Sequence, residues 1–200
     1  MRLTCIVISS ILTVASTIPY LVDIFRDKTK PRIVSWFTWS VLTAIASAAS
    51  FVDHQYASAV LTLCASIETA AIVALGLVKS GDRTLEKFDI YCLGGAMVGL
   101  VLWLIFNSPT IAVAASVTID LVGALPTIRH TWQKPYEETW LAFLLASVGG
   151  AFSVMAARDF RITAIAYPIY IVLCNAVLTG IILGRHKYAV AGEPVELRDV

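Results

Sequence analysis

Charged residues divide the chain into long apolar segments. No Asp, Glu, Lys or Arg occurs within residues 3–22, 33–52, 139–157 or 162–184, which are stretches of 20, 20, 19 and 23 residues. A helix of about 20 residues spans the roughly 30 Å hydrocarbon core of a bilayer. Because a soluble chain of 200 residues cannot enclose four such helices, the pattern predicts membrane-spanning segments.

The rest of the chain has the same spacing of apolar segments. Residues 57–78 contain a single charge, Glu68, and residues 90–119 contain none but are interrupted by Asn107-Ser108-Pro109. We therefore predict seven transmembrane helices, at about 4–25, 34–52, 57–78, 88–106, 110–128, 138–156 and 162–184. The first segment could be a signal peptide, but it is longer than an ordinary signal core and Ala15-Ser16-Thr17 is a poor cleavage site.

Composition agrees with this fold class. Hydrophobic residues make up 58% of the chain and charged residues 14%, and the mean hydropathy is +0.79. A soluble domain of this size needs more surface charge. Four cysteines fall within or at the edge of apolar spans, and none has the local spacing of a metal site. We expect them to be small packing residues.

The distribution of Lys and Arg predicts the orientation in the membrane. Three basic residues lie on one side of the predicted spans: Arg2, Arg158 and Arg161. Twelve lie on the other: Arg26, Lys28, Lys30, Arg32, Lys79, Arg83, Lys87, Arg129, Lys134, Arg185, Lys187 and Arg198. Cytosolic loops are enriched in basic residues, so we predict a plasma-membrane protein with its N-terminus outside and its C-terminus in the cytosol. The net charge of +1 hides this asymmetry.

Two parts of the chain share an order of features. Predicted helix 1 has Pro19 followed six residues later by Phe25, a basic loop and Trp36. Predicted helix 5 has Pro126 followed six residues later by an aromatic residue, a basic loop and Trp140. Pro19 and Pro126 are 107 residues apart, and the same spacing pairs Glu68 with Asn175. We interpret this as two parallel three-helix repeats separated by helix 4; chance similarity between apolar segments is the alternative.

This arrangement resembles the SWEET and PQ-loop transporter superfamily over about residues 4–184, as a divergent member of prokaryotic type. Residues 19–31 followed by Ser35-Trp36 are similar to the first PQ-loop, and residues 126–140 resemble the second. The family's glutamine after each proline is Tyr20 and Thr127 here. The resemblance implies an all-α membrane protein in a 3+1+3 arrangement. The expected parts of this fold are a first bundle at 1–80, linker helix 4 at 81–109, a second bundle at 110–184 and a cytosolic tail at 185–200.

Polar residues near the middle of the predicted helices are candidates for a central site. Ionisable groups at this depth are costly unless they are paired or hydrated. The carboxyl groups of Glu68 and Asp120 and the amide of Asn175 lie at similar depth, and the resemblance implies that Glu68 and Asn175 contact substrate. The predicted binding residues are Glu68, Asp120, Asn175, Tyr167, Tyr170 and Thr13. The alternative is interhelical hydrogen bonding without a ligand.

Prolines and tryptophans lie near the predicted cytosolic boundary. Pro19 and Pro126 weaken their helices close to the cytosolic ends, and we predict that they act as hinges or gates; ordinary kinks are the alternative. Four tryptophans lie at the same boundary, and we interpret them as interface anchors: Trp36, Trp39, Trp132 and Trp140.

The expected function is transport of a small solute. The sequence shows no nucleophile elbow, phosphate loop or HExxH motif, so we expect neither an enzyme nor a cofactor. The expected partners are a sugar, amino acid or vitamin-like solute and the lipid bilayer, with no nucleic acid, and a homo-oligomer is left open. Glu68, with Asp120 as the alternative, is the hypothetical proton carrier. A non-transporting receptor or assembly protein on the same scaffold is the competing interpretation.

Overall fold

The structure is a computed structural model that describes residues 1–52, 54, 56–79, 81–105, 109–157 and 161–190. The predicted all-helical fold with seven helices is confirmed within these residues. The helices are α1 (Arg2–Phe25), α2 (Ile33–Val52), α3 (Tyr56–Val78), α4 (Lys87–Ile105), α5 (Pro109–Gln133), α6 (Trp140–Met155) and α7 (Ile162–Val190). The predicted break at Asn107-Ser108 and the tail beyond residue 190 lie outside the described residues.

Helices α5 and α7 extend beyond their predicted cytosolic ends. Helix α5 continues to Gln133, and a short 3-10 helix, Pro135–Glu137, leads from it to α6. Arg129 and His130 were expected in a loop but belong to α5. A helix does not need to end where its apolar segment ends, because its backbone hydrogen bonds continue in polar surroundings.

The helices pack in pairs, and further contacts join these pairs to one another. Helices α2 and α3 pack together, as do α4 with α5 and α6 with α7, and α7 also contacts α5. Helix α1 packs along α6 from end to end: Arg2 Nε donates to the Ala156 carbonyl at 2.9 Å and Ser9 Oγ donates to the Gly149 carbonyl at 2.8 Å. Helix α2 has a smaller contact with α5 near Gly123, where a Cβ would lie 3.2 Å from Trp39 Nε1.

The main apolar core lies near one end of the helices. This end contains residues 26–32, 81–86 and 134–139, and we call it the basic end. The core consists of residues from α1, α3, α6 and α7: Tyr20, Ile24, Ile72, Ala142, Phe143, Leu178 and Ile182. A smaller cluster of Ala96, Leu100 and Ile119 joins α4 to α5.

The outer faces of the helices are apolar. Large hydrophobic side chains such as Ile11, Ile67, Val98 and Leu173 are about 60% exposed. Two helical segments are long and apolar enough to cross a membrane, Arg2–Phe25 and Ala164–Arg185, and shorter apolar segments are Ile33–Ala48, Thr62–Val78 and Trp140–Met155. Exposed apolar surface of this kind suits lipid rather than water, so the described helices indicate membrane association.

Candidate functional site

A cavity of about 100 Å³ lies between α1, α2, α3, α5, α6 and α7, next to the main apolar core. Asp120 is the charged residue in its lining, and its polar neighbours there include Ser16, Thr17 and Asn175. Five aromatic side chains also line it: Tyr20, Trp36, Trp39, Phe143 and Tyr170. The cavity therefore combines one carboxylate with an aromatic wall.

Tyr170 lies beside Asp120 in the wall of this cavity. Its side chain is close enough to the Asp120 carboxyl and to the Cys174 thiol to interact with both. The Tyr170 ring lies beside the Tyr167 ring, with centroids 5.9 Å apart and planes at 44°.

A second cavity, of about 380 Å³, meets the first at Asp120, which lines both. Its wall is mainly apolar and includes Leu42, Ala46, Leu100, Val113 and Ile119. Hydroxyl groups from Thr43, Thr62, Ser116 and Tyr167 are also present. Because α2 and α5 have only a small contact near Gly123, this cavity occupies the space between them.

The predicted site residues fall into two groups. The structure brings Asp120, Tyr170 and Asn175 together around the first cavity and places Tyr167 at the second. The Asn175 side chain also donates from Nδ2 to the Ile171 carbonyl at 2.9 Å, within its own helix.

Glu68 and Thr13 are predicted site residues that are not in either lining. Glu68 is half-buried behind Thr17, whose Oγ1 lies 3.5 Å from Glu68 Oε2. Thr13 donates to the Ser9 carbonyl at 2.9 Å and lies against Gly149 of α6. Helix α3 contributes Ile72 to the first cavity beside Asn175, but Glu68, one helical turn before Ile72, is not in its lining.

The predicted hinge prolines lie inside continuous helices. Pro19 is in α1, immediately before Tyr20, and Pro126 is buried in α5 near its basic end. Helix α7 contains a third proline, Pro168, between the two cavity tyrosines. Sequence reasoning did not select Pro168, although its position between Tyr167 and Tyr170 was a usable signal.

Tyr20 closes the cavity toward the basic end. Its hydroxyl donates to Glu138 Oε2 at 2.8 Å and accepts from Trp36 Nε1 at 3.0 Å. Its ring lies 4.8 Å from the Trp36 ring and 6.0 Å from the Phe143 ring. Tyr20 is 1% exposed. Together with Trp36, Phe143 and Glu138 it forms a layer, the Tyr20 layer, that separates the cavity from the polar residues beyond it.

Trp36 and Trp39 are cavity residues that sequence reasoning assigned to the membrane interface. Both line the first cavity, with ring centroids 5.1 Å apart at 84°. Trp132 and Trp140, by contrast, are 53% and 41% exposed. Position along the chain could not separate these pairs, because it does not specify which way a side chain points.

Buried charged residues form a network at the basic end. Arg32 pairs with Asp82 at 2.7 Å and with Asp89 at 2.5 Å, and His130 Nδ1 lies 3.2 Å from Asp82. Burial opposes ionisation of Asp82, but hydrogen bonds from Thr84 and the Arg32 guanidinium lower its pKa to about 2. The network therefore keeps Asp82 ionised and paired.

The two halves of the chain are joined directly at this end. The Lys30 ammonium lies 2.6 Å from Glu137 Oε1, and the Lys30 N–H donates to the Glu137 carbonyl at 2.8 Å. The hydroxyl oxygens of Thr29 and Thr139 are 2.5 Å apart, and both residues are buried. These contacts join the loop after α1 to the segment before α6.

Comparisons with known proteins gave no match to a family model, a curated protein or a solved structure. The function must therefore be argued from the site. Among the described residues, no group of three or more His, Cys, Asp or Glu side chains is placed to hold a metal ion.

Proposed function

We propose that the chain is a small-solute transporter of the plasma membrane that works by alternating access between two triple-helix bundles. The observation that carries the proposal is the cavity at Asp120, which lies between helices of both halves and is closed at one end by buried side chains from both. Transporters built from repeats place their solute site at such an interface.

The helix contacts support a 3+1+3 arrangement. In the first proposed bundle α3 contacts α1 and α2, and in the second α7 contacts α5 and α6. Between the bundles, α1 contacts α6 and α2 contacts α5. If α1 corresponds to α5 and α2 to α6, these are equivalent contacts in the two repeats. This pattern fits parallel repeats related by an axis along the membrane normal and agrees with the resemblance to the SWEET and PQ-loop superfamily. The N-terminus would be outside and the basic end in the cytosol.

Contacts at the basic end support an outward-facing state. At the basic end the Tyr20 layer, the Lys30–Glu137 pair and the Thr29–Thr139 contact all join the two halves. The larger cavity lies between α2 and α5. Opening to the cytosol would require these basic-end contacts to separate while the α2–α5 seam closes.

A reversible cross-link tests this mechanism. The double variant Thr29→Cys/Thr139→Cys places two thiols where the hydroxyls now meet, in a background lacking the four native cysteines, Cys5, Cys64, Cys92 and Cys174. Solutes would first be found by a thermal-shift screen of sugars, amino acids and vitamins. Counterflow in proteoliposomes should stop when the double variant is oxidised and return when it is reduced.

The single variants Thr29→Cys and Thr139→Cys are the matched controls and should transport under both conditions. Transport by the fully cross-linked double variant at the rate of the reduced protein would contradict alternating access through the basic end. The extent of cross-linking is measured by gel mobility after maleimide modification.

A receptor or assembly protein is the second candidate. The contact of His130, in the second half, with Asp82, the partner of Arg32, favours it, because a basic end that stays permanently closed needs no mechanism for separating the halves. Such a protein would bind its solute with no flux across vesicles. Binding by the purified protein together with undetectable counterflow would select this alternative.

A further inference from the structure

The two cavities meet at one carboxylate that has no basic neighbour in either lining. Among the described residues, Asp120 is the charged residue in both walls, and neither wall contains Lys, Arg or His. Tyr170 lies beside Asp120 in the smaller cavity but supplies no positive charge. A buried carboxylate is stabilised by an opposite charge, so a cationic ligand would complete the electrostatics of this site.

Aromatic rings share the lining of the smaller cavity with this carboxylate. Trp36, Trp39, Tyr20 and Tyr170 all line it, and the Trp36 and Trp39 rings meet at 84°. Rings at such angles form two walls of a cage. An ammonium group over aromatic faces gains attraction from the ring quadrupoles in addition to its attraction to a carboxylate.

The volumes separate the head of such a ligand from its body. The smaller cavity, about 100 Å³, is below the about 150 Å³ of an engineered cavity that binds benzene, so it suits a compact group. The larger cavity, about 380 Å³, has the mainly apolar wall around Leu100 and Ile119. We infer that the paired cavities bind an organic cation whose ammonium head lies at Asp120 and whose apolar body occupies the larger cavity.

The lining also argues against other classes of solute. An amino acid, a phosphate ester or another acid would place its negative group near Asp120 without a cation to receive it. A sugar would leave many hydroxyls against the apolar wall around Leu42, Ala46 and Val113.

This inference rests on the proposed function, since it takes the central cavity as the solute site. Its test is equilibrium binding to the full chain in detergent. Binding is measured by tryptophan fluorescence, to which Trp36 and Trp39 in the cavity wall contribute, and by calorimetry. The probes are choline, its neutral isostere 3,3-dimethylbutan-1-ol, and benzyltrimethylammonium. We expect both cations to bind, benzyltrimethylammonium more tightly, and the isostere to bind at least about tenfold more weakly than choline.

Variants at Asp120 test its role in binding. Asp120→Asn should weaken cation binding about ten- to hundredfold, and Asp120→Glu, which keeps the charge if Asn impairs folding, should retain most of it. Glu86→Gln removes an exposed carboxylate that pairs with Arg129 outside both cavities, and it should bind as the wild type does. Size-exclusion profiles and helical circular dichroism confirm that each variant is folded.

The outcomes separate this inference from the transport proposal. Cation binding without flux in proteoliposomes supports the inference and contradicts transport. Flux of a neutral solute by a protein that binds neither cation overturns the inference and leaves transport standing. Equal affinity for choline and its isostere, or unchanged cation binding by folded Asp120→Asn, also overturns it.

Discussion

Replacing Glu138 with Gln should make the protein more stable at neutral and alkaline pH. Glu138 precedes α6, is 6% exposed, and accepts a hydrogen bond from Tyr20 at 2.8 Å. Burial raises the pKa of this carboxyl from 4.5 to about 8; the Tyr20 hydroxyl opposes the shift and the neighbouring Glu137 adds to it. Glutamine keeps the size of the side chain and an oxygen acceptor for Tyr20, but it cannot ionise.

The size and sign of the effect follow from linkage. The pKa of Glu138 is about 8 in the folded state, against 4.5 for an ordinary Glu side chain. A pKa difference of one corresponds to about 1.4 kcal/mol. Below pH 4.5 both the folded and unfolded states are protonated, so the site makes no pH-dependent contribution there. As the pH rises to about 8 the unfolded state ionises first, and stability falls by at most about 3 kcal/mol at pH 7 and about 5 kcal/mol above pH 8.

Thermal unfolding in detergent between pH 5 and pH 9 measures this effect. The wild type should lose stability across the range relative to Glu138→Gln, so the two curves diverge as the pH rises. Glu86→Gln, at a carboxyl that is 46% exposed, is the control and should follow the wild type. Parallel curves for wild type and Glu138→Gln, or a Gln variant that is less stable at pH 8, would refute the assignment of a neutral buried Glu138.

Three further predictions concern the Arg32 ion pairs, proton coupling and membrane topology. Arg32→Met should destabilise the protein by about 3–5 kcal/mol in the same assay, because it leaves buried Asp89 and partly buried Asp82 without their cation; a change below about 1 kcal/mol would contradict the pairing. Glu68→Gln should abolish accumulation against a gradient while equilibrium exchange survives, and a variant that still concentrates its solute would exclude Glu68 as the proton carrier. Cysteines placed near His54 and Glu193 should be labelled only from outside and only from the cytosol, respectively; the reverse pattern would contradict the proposed topology.

Helix positions were predictable from the sequence because they depend on local properties. Charge-free segments such as residues 33–52 and 162–184 correspond to α2 and α7. Within a helix each backbone group bonds to a residue four positions away, so an apolar stretch of sufficient length specifies the element without knowledge of its neighbours. Depth along the helix follows as well, which is why Asp120 and Asn175 were selected.

Which side chains meet was decided only by the tertiary structure. Depth does not specify the rotation of a helix about its axis or its neighbours, and so Asp120 lines the cavity while Glu68 lies behind Thr17. Arg32 counted only as a cytosolic charge in the sequence, yet it pairs with residues 50 and 57 positions further along the chain. Such pairs depend on how separate helices pack, because attraction between buried charges acts over a few ångströms of space and is independent of distance along the chain.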